Sequence, residues 1–477
     1  MNQDWQAQRV VIIGAARQGL ALAAYLLKHN ARVTITDRRS PQEMESVRQQ
    51  FMEQAGGQAE IEWVFGDHPL SLLDRTDWLA VSGGVPLTNP LVQAATERGI
   101  RLTNDSQIFL EAAPCRVVGI TGSAGKTTTT SLVGEIARAA RQPGQVWVGG
   151  NIGKPLISSV DEMKSADLAV MELSSFQLEL MHTSPQIAAV LNITPNHLDR
   201  HVTMAAYTAA KTHILAHQTD QDIAVLGRED PGSRTLTEKV AGRLLTFGIE
   251  KPQEKGFSWE GTYLTARGEL HLQTVHPFAD LHLFNREAIL LRGEHNLMNV
   301  LAACAIAAAA ELPIAAMQTA VGNFRGVPHR LEFVRSWQGA DWFNDSIATA
   351  PERSMAAIRA FEEPLILLAG GKDKDLPWDE FAMLVAQRVD HIVVFGEAAE
   401  KIFSALQACN LHPDERGARP PLTISRCKDL RAAIHVAAEL VEPGDVVLLS
   451  PGGTSFDEFR DFEERGQCFS RWVKDLH

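Results

Sequence analysis

Cysteine is scarce in this sequence and follows no disulfide or metal-binding pattern. The 477 residues include five cysteines, at positions 115, 304, 409, 427 and 468, and no two of them form a CxxC pair. An odd number of scattered cysteines argues against a disulfide framework and against a structural zinc site. We therefore expect the chain to work in a reducing compartment, the cytoplasm.

Long apolar runs and an excess of positive charge are missing too. The longest apolar stretch, LMNVLAACAIAAAAELPIAAM (297–317), is mostly alanine and contains Asn299 and Glu311, which favours a buried helix over a membrane span. The first residues carry no basic segment followed by an apolar one, so we expect no signal peptide. A net charge of −13 disfavours a broad nucleic-acid or anionic-membrane surface. We expect neither nucleic acid nor membrane as a partner.

What the sequence does contain is a repeated alternation of apolar strand-like runs and helical segments. Most of the runs end in glycine or a polar loop: RVVIIG (9–14), ARVTITD (31–37), WLAVSGG (78–84), CRVVGIT (115–121), DLAVMELSS (167–175), IAAVLNIT (187–194), LILLAGG (365–371), HIVVFGE (391–397) and DVVLLSPGG (445–453). This rhythm predicts an α/β fold with parallel sheets, divided into three domains. The polar alternation between about 250 and 292 predicts an antiparallel part.

The segment GITGSAGKTTTT (119–130) predicts a phosphate-binding loop between a strand and a helix. Gly122 and Gly125 let backbone N–H groups turn toward a phosphate, and the helix N-terminus adds partial positive charge. Lys126 can reach the β- and γ-phosphates, and the Thr127 hydroxyl can take a Mg²⁺ position. Ile120 stands where the strict Walker pattern has glycine. The alternative is a Gly/Thr-rich turn that opens an ordinary helix.

An earlier segment, GAARQG (14–19), resembles a dinucleotide-binding turn but has Ala16 in place of its middle glycine. That glycine lets a backbone approach a pyrophosphate, so a smaller or differently placed ligand is favoured. Asp37 ends the second strand, where an acid can bind ribose hydroxyls, and Arg17, Arg38 and Arg39 supply positive charge. The alternative is a plain βαβ core with solvated arginines.

Three further residues are candidates for the chemistry at the phosphate loop. Glu172 and His197 each follow a strand, at the rim where the loop is predicted to lie. Glutamate is a good Mg²⁺ ligand, whereas histidine is softer than this ion prefers and is more often structural. Lys211 lies in an alanine-rich helical stretch, where a lysine is usually a surface residue.

Taken together and in order, these motifs resemble the Mur ligase family of peptidoglycan synthesis. The resemblance rests on TGSAGKTTT, GGNIG, MELSSFQLE, NITPNHLDRH, Lys211, GEHNLMN, PHRLE, NDS, LLAGGKDK and LSPGGTSFDEF, which span nearly the whole chain. It implies a Rossmann-like N-terminal domain at 1–111 that binds a UDP-linked substrate. It further implies a central P-loop ATPase domain at 112–326 and a Rossmann-like C-terminal, glutamate-binding domain at 327–477.

The resemblance also implies an activity. Members of the type with this ending use ATP and Mg²⁺ to add D-glutamate to UDP-N-acetylmuramoyl-L-alanine through an acyl phosphate. This reaction serves peptidoglycan biosynthesis, and through it cell-wall biogenesis, cell shape and cell division. We expect these small molecules as the partners, a cytoplasmic location and a monomer.

Residue by residue, the resemblance assigns four groups. Lys126, His197 and Lys211 would be catalytic, with Lys211 carbamylated by CO₂, and Thr127, Glu172, His197 and Lys211 would surround the metal. The expected ATP contacts are Gly122, Ser123, Ala124, Gly125, Lys126, Thr127, Thr128, Asn299, Arg330 and Asp345. The expected substrate contacts are Arg17, Gln18, Asp37, Arg38, Ser82, Gly84, Asn151, Ser174, Gln177, Thr349, Lys374, Ser455, Phe456 and Phe462.

Some positions depart from the family pattern and keep alternatives open. Asn196 stands where the family commonly has aspartate, and Ile347 and Ala350 stand where some members of this type carry lysine and asparagine. The last two adjoin the predicted glutamate pocket, so an L-glutamate-adding variant is an alternative. Others are a folate polyglutamate ligase, a nicotinamide-dependent oxidoreductase and a non-catalytic nucleotide-binding regulator.

Overall fold

The computed structural model describes residues 4–54, 61–141, 143–196, 198–252, 260–275, 278–373, 376–409 and 419–477. The chain forms two compact units. The first comprises Met1–Leu290 and Glu294–Phe324, and the second comprises Leu291–Gly293 and Arg325–His477. The short segment 291–293 thus belongs to the second unit, although residues of the first unit precede and follow it.

The first unit begins with a five-stranded, fully parallel sheet in the order β3-β2-β1-β4-β5. Its elements are β1 (Arg9–Ile13), α1 (Arg17–Lys28), β2 (Arg32–Asp37), α2 (Pro41–Gln54), β3 (Ile61–Phe65), β4 (Trp78–Val81), α3 (Pro90–Glu97), β5 (Arg101–Thr103) and α4 (Asp105–Ala112). The strand order changes direction between β1 and β4. The loops that follow these two strands therefore flank a crevice of the kind in which open α/β sheets bind ligands.

The same unit contains a nine-stranded sheet in the order β14-β13-β12-β11-β10-β9-β6-β8-β7. Its strands are β6 (Arg116–Thr121), β7 (Val146–Gly150), β8 (Leu168–Glu172), β9 (Ile187–Val190), β10 (Ile223–Gly227), β11 (Arg243–Phe247), β12 (Gly261–Leu264), β13 (Glu269–Val275) and β14 (Phe278–Asn285). Pairing is parallel from β7 to β12, and β13 pairs antiparallel with both β12 and β14. The predicted antiparallel part is thereby confirmed.

Seven α-helices accompany this sheet among the described residues. They are α5 (Lys126–Ala139), α6 (Ser175–Leu178), α7 (Leu198–His201), α8 (Met204–Thr212), α9 (Pro231–Arg234), α10 (Glu294–Ala309) and α11 (Ile314–Asn323). The alanine-rich stretch forms most of α10, which is buried along almost its whole length because small side chains let it pack closely on α5 and the sheet. The expected core helix is confirmed. Of the helices that the structure describes, none has both the length and the apolar character needed to cross a membrane.

The second unit is built on a six-stranded sheet in the order β15-β16-β20-β17-β18-β19, in which only β15 and β16 pair antiparallel. The elements are β15 (Glu332–Trp337), β16 (Ala340–Asn344), α12 (Pro351–Ile358), β17 (Leu365–Gly370), α13 (Asp379–Arg388), β18 (His391–Phe395), α14 (Ala399–Ala408), β19 (Thr423–Arg426), α15 (Leu430–Leu440), β20 (Val446–Gly452) and α16 (Phe462–Lys474). Along β17, Leu365 and Leu367 face one hydrophobic cluster, while Ile366 and Leu368 face another. Burial on both faces explains why such strands are continuous apolar runs.

Two arginines fix the periphery of the second unit. Arg335 on β15 donates to the carbonyl oxygens of Val473, Lys474 and Leu476 at 3.4, 2.7 and 3.4 Å, at the end of α16. Arg292, in the segment 291–293, forms ion pairs with Asp341 and Glu363. Arg335 therefore supplies hydrogen-bond donors to carbonyl oxygens at the end of α16. Arg292 links the segment 291–293 to the rest of the second unit.

Candidate functional site

The segment predicted to bind phosphate connects β6 to α5, as expected. Gly125 lies just before α5 in the left-handed region, with φ +83°, a conformation that glycine adopts without steric strain. The Asn192 side chain holds the loop from the end of β9, because its Oδ1 accepts from the Ala124 amide at 2.9 Å. The first amide groups of a helix have no partner within that helix, so the loop directs donors toward an incoming anion.

Two lysine ammonium groups meet at this loop. Lys126 Nζ donates to the carbonyl oxygen of Gly122 at 2.8 Å, and Lys211 Nζ donates to the same oxygen at 3.0 Å. Lys211 is only 1% exposed, so the expectation that this lysine by itself would be a surface residue is wrong. The pKa of Lys211 is lowered from 10.5 to about 7, chiefly by burial and then by the charge of Lys126, while Glu172 acts in the opposite direction.

Glu172, at the end of β8, is buried beside the loop. Its Oε2 accepts from the Thr127 hydroxyl at 2.8 Å and its Oε1 accepts from Asn151 Nδ2 at 2.9 Å. A carboxylate and a hydroxyl oxygen this close together match the oxygen ligands that Mg²⁺ prefers. His197 lies outside the described residues. Within them, no three His, Cys, Asp or Glu side chains gather as a metal-binding group.

Asn299 on α10 also lies at this loop. Its Oδ1 accepts from the Thr129 hydroxyl at 3.5 Å, and a Cβ added to Gly125 would come within 2.2 Å of that same oxygen. The buried side chains of Ser123 and Thr128 belong to the loop and to the first turn of α5. The structure thus brings the predicted ATP contacts of the first unit together around the end of β6.

The predicted substrate contacts of the five-stranded sheet follow the ends of β1, β2 and β4. The Asp37 carboxylate accepts from the Ala15 amide at 2.8 Å and from Arg39, and these hydrogen bonds outweigh burial and hold its pKa below the ordinary value. Ser82 Oγ donates to the Gly14 carbonyl at 3.1 Å. Asp37 and Ser82 therefore connect the loops of neighbouring strands. Gln18 is partly buried, whereas Arg17 and Arg38 are exposed.

Two of the predicted substrate contacts on the nine-stranded sheet are hydrogen-bonded to residues of the five-stranded sheet and its helices. Arg17 donates to the Asn151 carbonyl at 3.1 Å. Ser174 caps α6 in a reciprocal arrangement with Gln177, whose amide nitrogen donates to Ser106 Oγ at 2.7 Å. Gln177 is 1% exposed. The described hydrogen bonds of Gln177 thus position α6 against α4.

The predicted contacts of the second unit fall on its loops. Asp345 follows β16 and accepts from Ser450 Oγ at 2.8 Å, and burial raises the pKa of Asp345 to about 7 against that hydrogen bond. Ser455 is buried, Thr349 and Phe462 are half-buried, and Arg330 and Phe456 are exposed. Ser346 Oγ donates to the Phe462 carbonyl at 2.8 Å, which links the loop after β16 to the start of α16. Lys374 lies outside the described residues.

The sequence analysis assigned no role to two arginines that the structure places near these sites. Arg465 is fully buried and donates to Ser346, Gly453 and Thr454, so it holds the loops after β16 and β20 together. Arg200 donates to two carbonyls of the loop after β4. Arg465 lies in the segment FEERG (462–466), and Arg200 lies in the motif NITPNHLDRH. Their sequence neighbours are mostly polar or charged, so no local signal would have identified them.

Comparisons with known proteins show the family of this chain. Three family models match: a Mur ligase MurD-like N-terminal domain at 8–104, a Mur ligase middle domain at 120–307 and a Mur ligase glutamate ligase domain at 329–453. The chain belongs to the Mur ligase family. Among similar proteins, UDP-N-acetylmuramoylalanine--D-glutamate ligase of Symbiobacterium thermophilum is 39% identical over 98% of both chains. The one from Pelotomaculum thermopropionicum is 36% identical over 100% of this chain and 99% of its own.

Solved structures resemble the fold at lower identity. UDP-N-acetylmuramate-alanine ligase MurC from Thermotoga maritima is 17% identical with a TM-score of 0.54, over 98% of this chain and 99% of its own. MurF ligase from Thermotoga maritima in complex with ADP is 17% identical with a TM-score of 0.51, over 100% and 97%. The predicted α/β architecture of three Mur-ligase-like domains with parallel-rich sheets is confirmed.

Proposed function

We propose that this protein is an ATP-dependent ligase that joins D-glutamate to the alanine carboxyl group of UDP-N-acetylmuramoyl-L-alanine. The observation that carries the proposal is the gathering of Lys126, Thr127, Glu172 and Lys211 around the loop after β6. The relatives that bear this activity in their names align with the chain from end to end. The domains are proposed to be a Rossmann-like one at 1–111, a P-loop one at 112–326 and a Rossmann-like one at 327–477.

The reaction needs an activated carboxyl group, because a carboxylate is a poor electrophile toward an amine. Transfer of the γ-phosphoryl group of ATP to the alanine carboxylate gives an acyl phosphate, and the glutamate amino group then displaces phosphate. Lys126 lies at the loop that would hold the ATP phosphates, where its positive charge stabilises the transferring group. Asn299 and the amides at the start of α5 would orient the nucleotide. In the second unit, Arg330 and Asp345 remain predicted nucleotide contacts.

Mg²⁺ fits the residues at the loop after β6. Thr127 and Glu172 supply hydroxyl and carboxylate oxygens within hydrogen-bonding distance of each other, and His197 remains a predicted further ligand. When bound, the ion neutralises phosphate charge.

Lys211 is proposed to carry a carbamate. Only the neutral amine reacts with CO₂, and a pKa near 7 gives a substantial neutral fraction at physiological pH. Carbamylation replaces a buried cation beside Lys126 with a carboxylate-like anion, which removes the like-charge repulsion and provides an oxygen ligand for the metal.

D-Glutamate is favoured over the alternatives by the names of the relatives, which also give no support to a folate ligase or an oxidoreductase. Thr349, Ser455, Phe456, Phe462 and Lys374 are the proposed contacts for glutamate. We further propose that the protein is a cytoplasmic monomer.

A phosphate-release assay tests the function. With ATP, Mg²⁺ and UDP-N-acetylmuramoyl-L-alanine present, release should require glutamate and should be much faster with the D than with the L enantiomer. Preference for L-glutamate would favour the variant ligase. Turnover with a folate and none with the muramoyl nucleotide would refute the proposal.

A further inference from the structure

Arg200, the third residue of α7, connects two parts of the first unit that carry different predicted contacts. Its NH1 donates to the Gly83 carbonyl at 2.7 Å and its NH2 donates to the Val85 carbonyl at 2.6 Å. The guanidinium carbon lies 3.8 Å from the centre of the Phe176 ring on α6. We call these contacts the Arg200 clasp.

One end of the clasp is the loop after β4. This loop contains two consecutive glycines, Gly83 and Gly84, which lose much conformational freedom when they are ordered. It is already closed by a turn in which the Val85 amide donates to the Ser82 carbonyl at 2.8 Å. Since a trans peptide places its C=O and N–H on opposite sides, fixing the Gly83 oxygen toward Arg200 directs the Gly84 N–H away from the guanidinium. The clasp therefore orients the loop that carries Ser82 and Gly84.

The other end of the clasp is α6. Phe176 lies two residues after Ser174 and four after Glu172, and its ring also stacks on His201 at 5.2 Å with an interplanar angle of 10°. His201 in turn contacts Ser175 Oγ at 2.9 Å and Glu179 at 3.2 Å. The helix that carries Arg200 is thus fixed to α6, next to the carboxylate proposed to hold the metal.

We propose that Arg200 is a positioning residue that sets the loop after β4 relative to α6, and so places the nucleotide part of the UDP-linked substrate while its carboxyl end is at the phosphate loop. The inference rests on the proposed ligase reaction and adds a specificity determinant for the nucleotide-sugar substrate. A lysine does not substitute for this arginine. The contacts need two donors in one plane and a planar group that can stack on the Phe176 ring.

The test is a comparison of KM values in Arg200→Lys and Arg200→Ala. We expect the KM for UDP-N-acetylmuramoyl-L-alanine to rise about tenfold or more in both, as the loss of two charge-assisted hydrogen bonds implies. The KM for ATP should stay within about twofold, because the described ATP contacts do not include the loop after β4. Guanidinium or ethylguanidinium should partly restore the alanine variant. Arg138→Ala, which removes an exposed arginine of α5 that pairs with Glu135, is the matched control.

Phe176→Leu provides a second variant if the arginine variants fold poorly. It removes the ring beneath the guanidinium and leaves the two carbonyl acceptors in place, so we expect about a threefold rise in the same KM. Equal rises in the KM for ATP and for the nucleotide sugar, or a loss of thermal stability with unchanged KM values, would overturn the inference. A native enzyme without activity on the muramoyl nucleotide would instead refute the proposed function.

Discussion

At the scale of single residues, burial and the sharing of one carbonyl oxygen by two lysines distinguish the candidate site. Lys126 and Lys211 both donate to Gly122, and the more buried of the two has the lowered pKa. In low-dielectric surroundings two adjacent cations repel strongly, so the less solvated one gives up its proton most readily. The position of Lys211 in the fold therefore explains why its amine is partly neutral at physiological pH.

Lys211→Ala should lose at least about 99% of ligase activity, because it removes the proposed carbamate oxygen at the metal. Millimolar acetate should partly restore turnover by supplying a carboxylate, as measured by phosphate release. Lys239→Ala, at an exposed lysine of the same unit, should retain full activity. Full activity of the Lys211 variant without acetate would contradict the carbamate role.

Asp105 is a second buried titratable residue, and the effect of its burial on the stability of the protein can be measured. Burial raises the pKa of Asp105 from 3.8 to about 6, against hydrogen bonds from the Ser106 amide and from Gln177. A folded-state pKa above the unfolded one contributes stability below about pH 4, and this contribution is lost as the pH rises through about 6. The shift corresponds to about 3 kcal/mol.

Asp105→Asn should remove this pH dependence. Relative to the native protein, its free energy of unfolding should increase by about 3 kcal/mol between pH 4 and pH 7.5, as measured by urea unfolding. Asp220→Asn, at an exposed aspartate, should show no such change. A constant difference between the Asp105 variant and the native protein at both pH values would contradict the assignment.

At the scale of elements, the strands were predictable and the polar contacts between elements were not. Apolar runs that contain glycine at or near their ends gave β1, β4, β6, β17, β18 and β20 to within three residues, because parallel strands buried on both faces tolerate few polar residues. In contrast, Asn104, Asp105, Ser106 and Gln107 have the pattern of an exposed first turn, yet all four are buried. Two of their partners, Gln177 and Thr183, are more than 70 residues away in sequence, so no local pattern reveals these contacts.

The residues of the candidate site that belong to local motifs were predictable, whereas those that depend on packing between elements were not. Gly125, Lys126 and Thr127 follow from one local motif, and Glu172 follows from its place at a strand end. The burial of Lys211 and the reach of Arg200 depend on how α7 and α8 pack against other elements. Neither packing arrangement has a local signature in sequence.

One element-scale prediction concerns the end of α16. Arg335 donates to three carbonyls there, which carry the partial negative charge of the helix end. Arg335→Ala should destabilise the second unit by about 1–2 kcal/mol and speed hydrogen exchange of the last-turn amides, Arg471–Lys474. Arg460→Ala, at a largely exposed ion pair with Asp461, is the control and should leave exchange unchanged. Unchanged exchange in the Arg335 variant would show that the helix end needs no such donor.

At the scale of the whole molecule, each of the two compact units encloses its own hydrophobic clusters. A unit with its own core forms a separate cooperative structure, so heating should give two unfolding transitions.

Matched leucine variants assign the two transitions. Leu226→Ala on β10 and Leu367→Ala on β17 each empty a fully buried position, which should cost about 2–5 kcal/mol in the unit concerned. Differential scanning calorimetry should show each variant lowering a different transition. A single transition lowered equally by both would show that the units unfold together.

The segment 291–293 has a consequence for any division of the polypeptide. The backbone enters the second unit, leaves it for α10 and α11, and returns only after Phe324. A break after Phe324 would put Arg292 on one fragment and its partners Asp341 and Glu363 on the other. Halves produced separately from a split gene would therefore have to associate before the second unit could recover all its ion pairs.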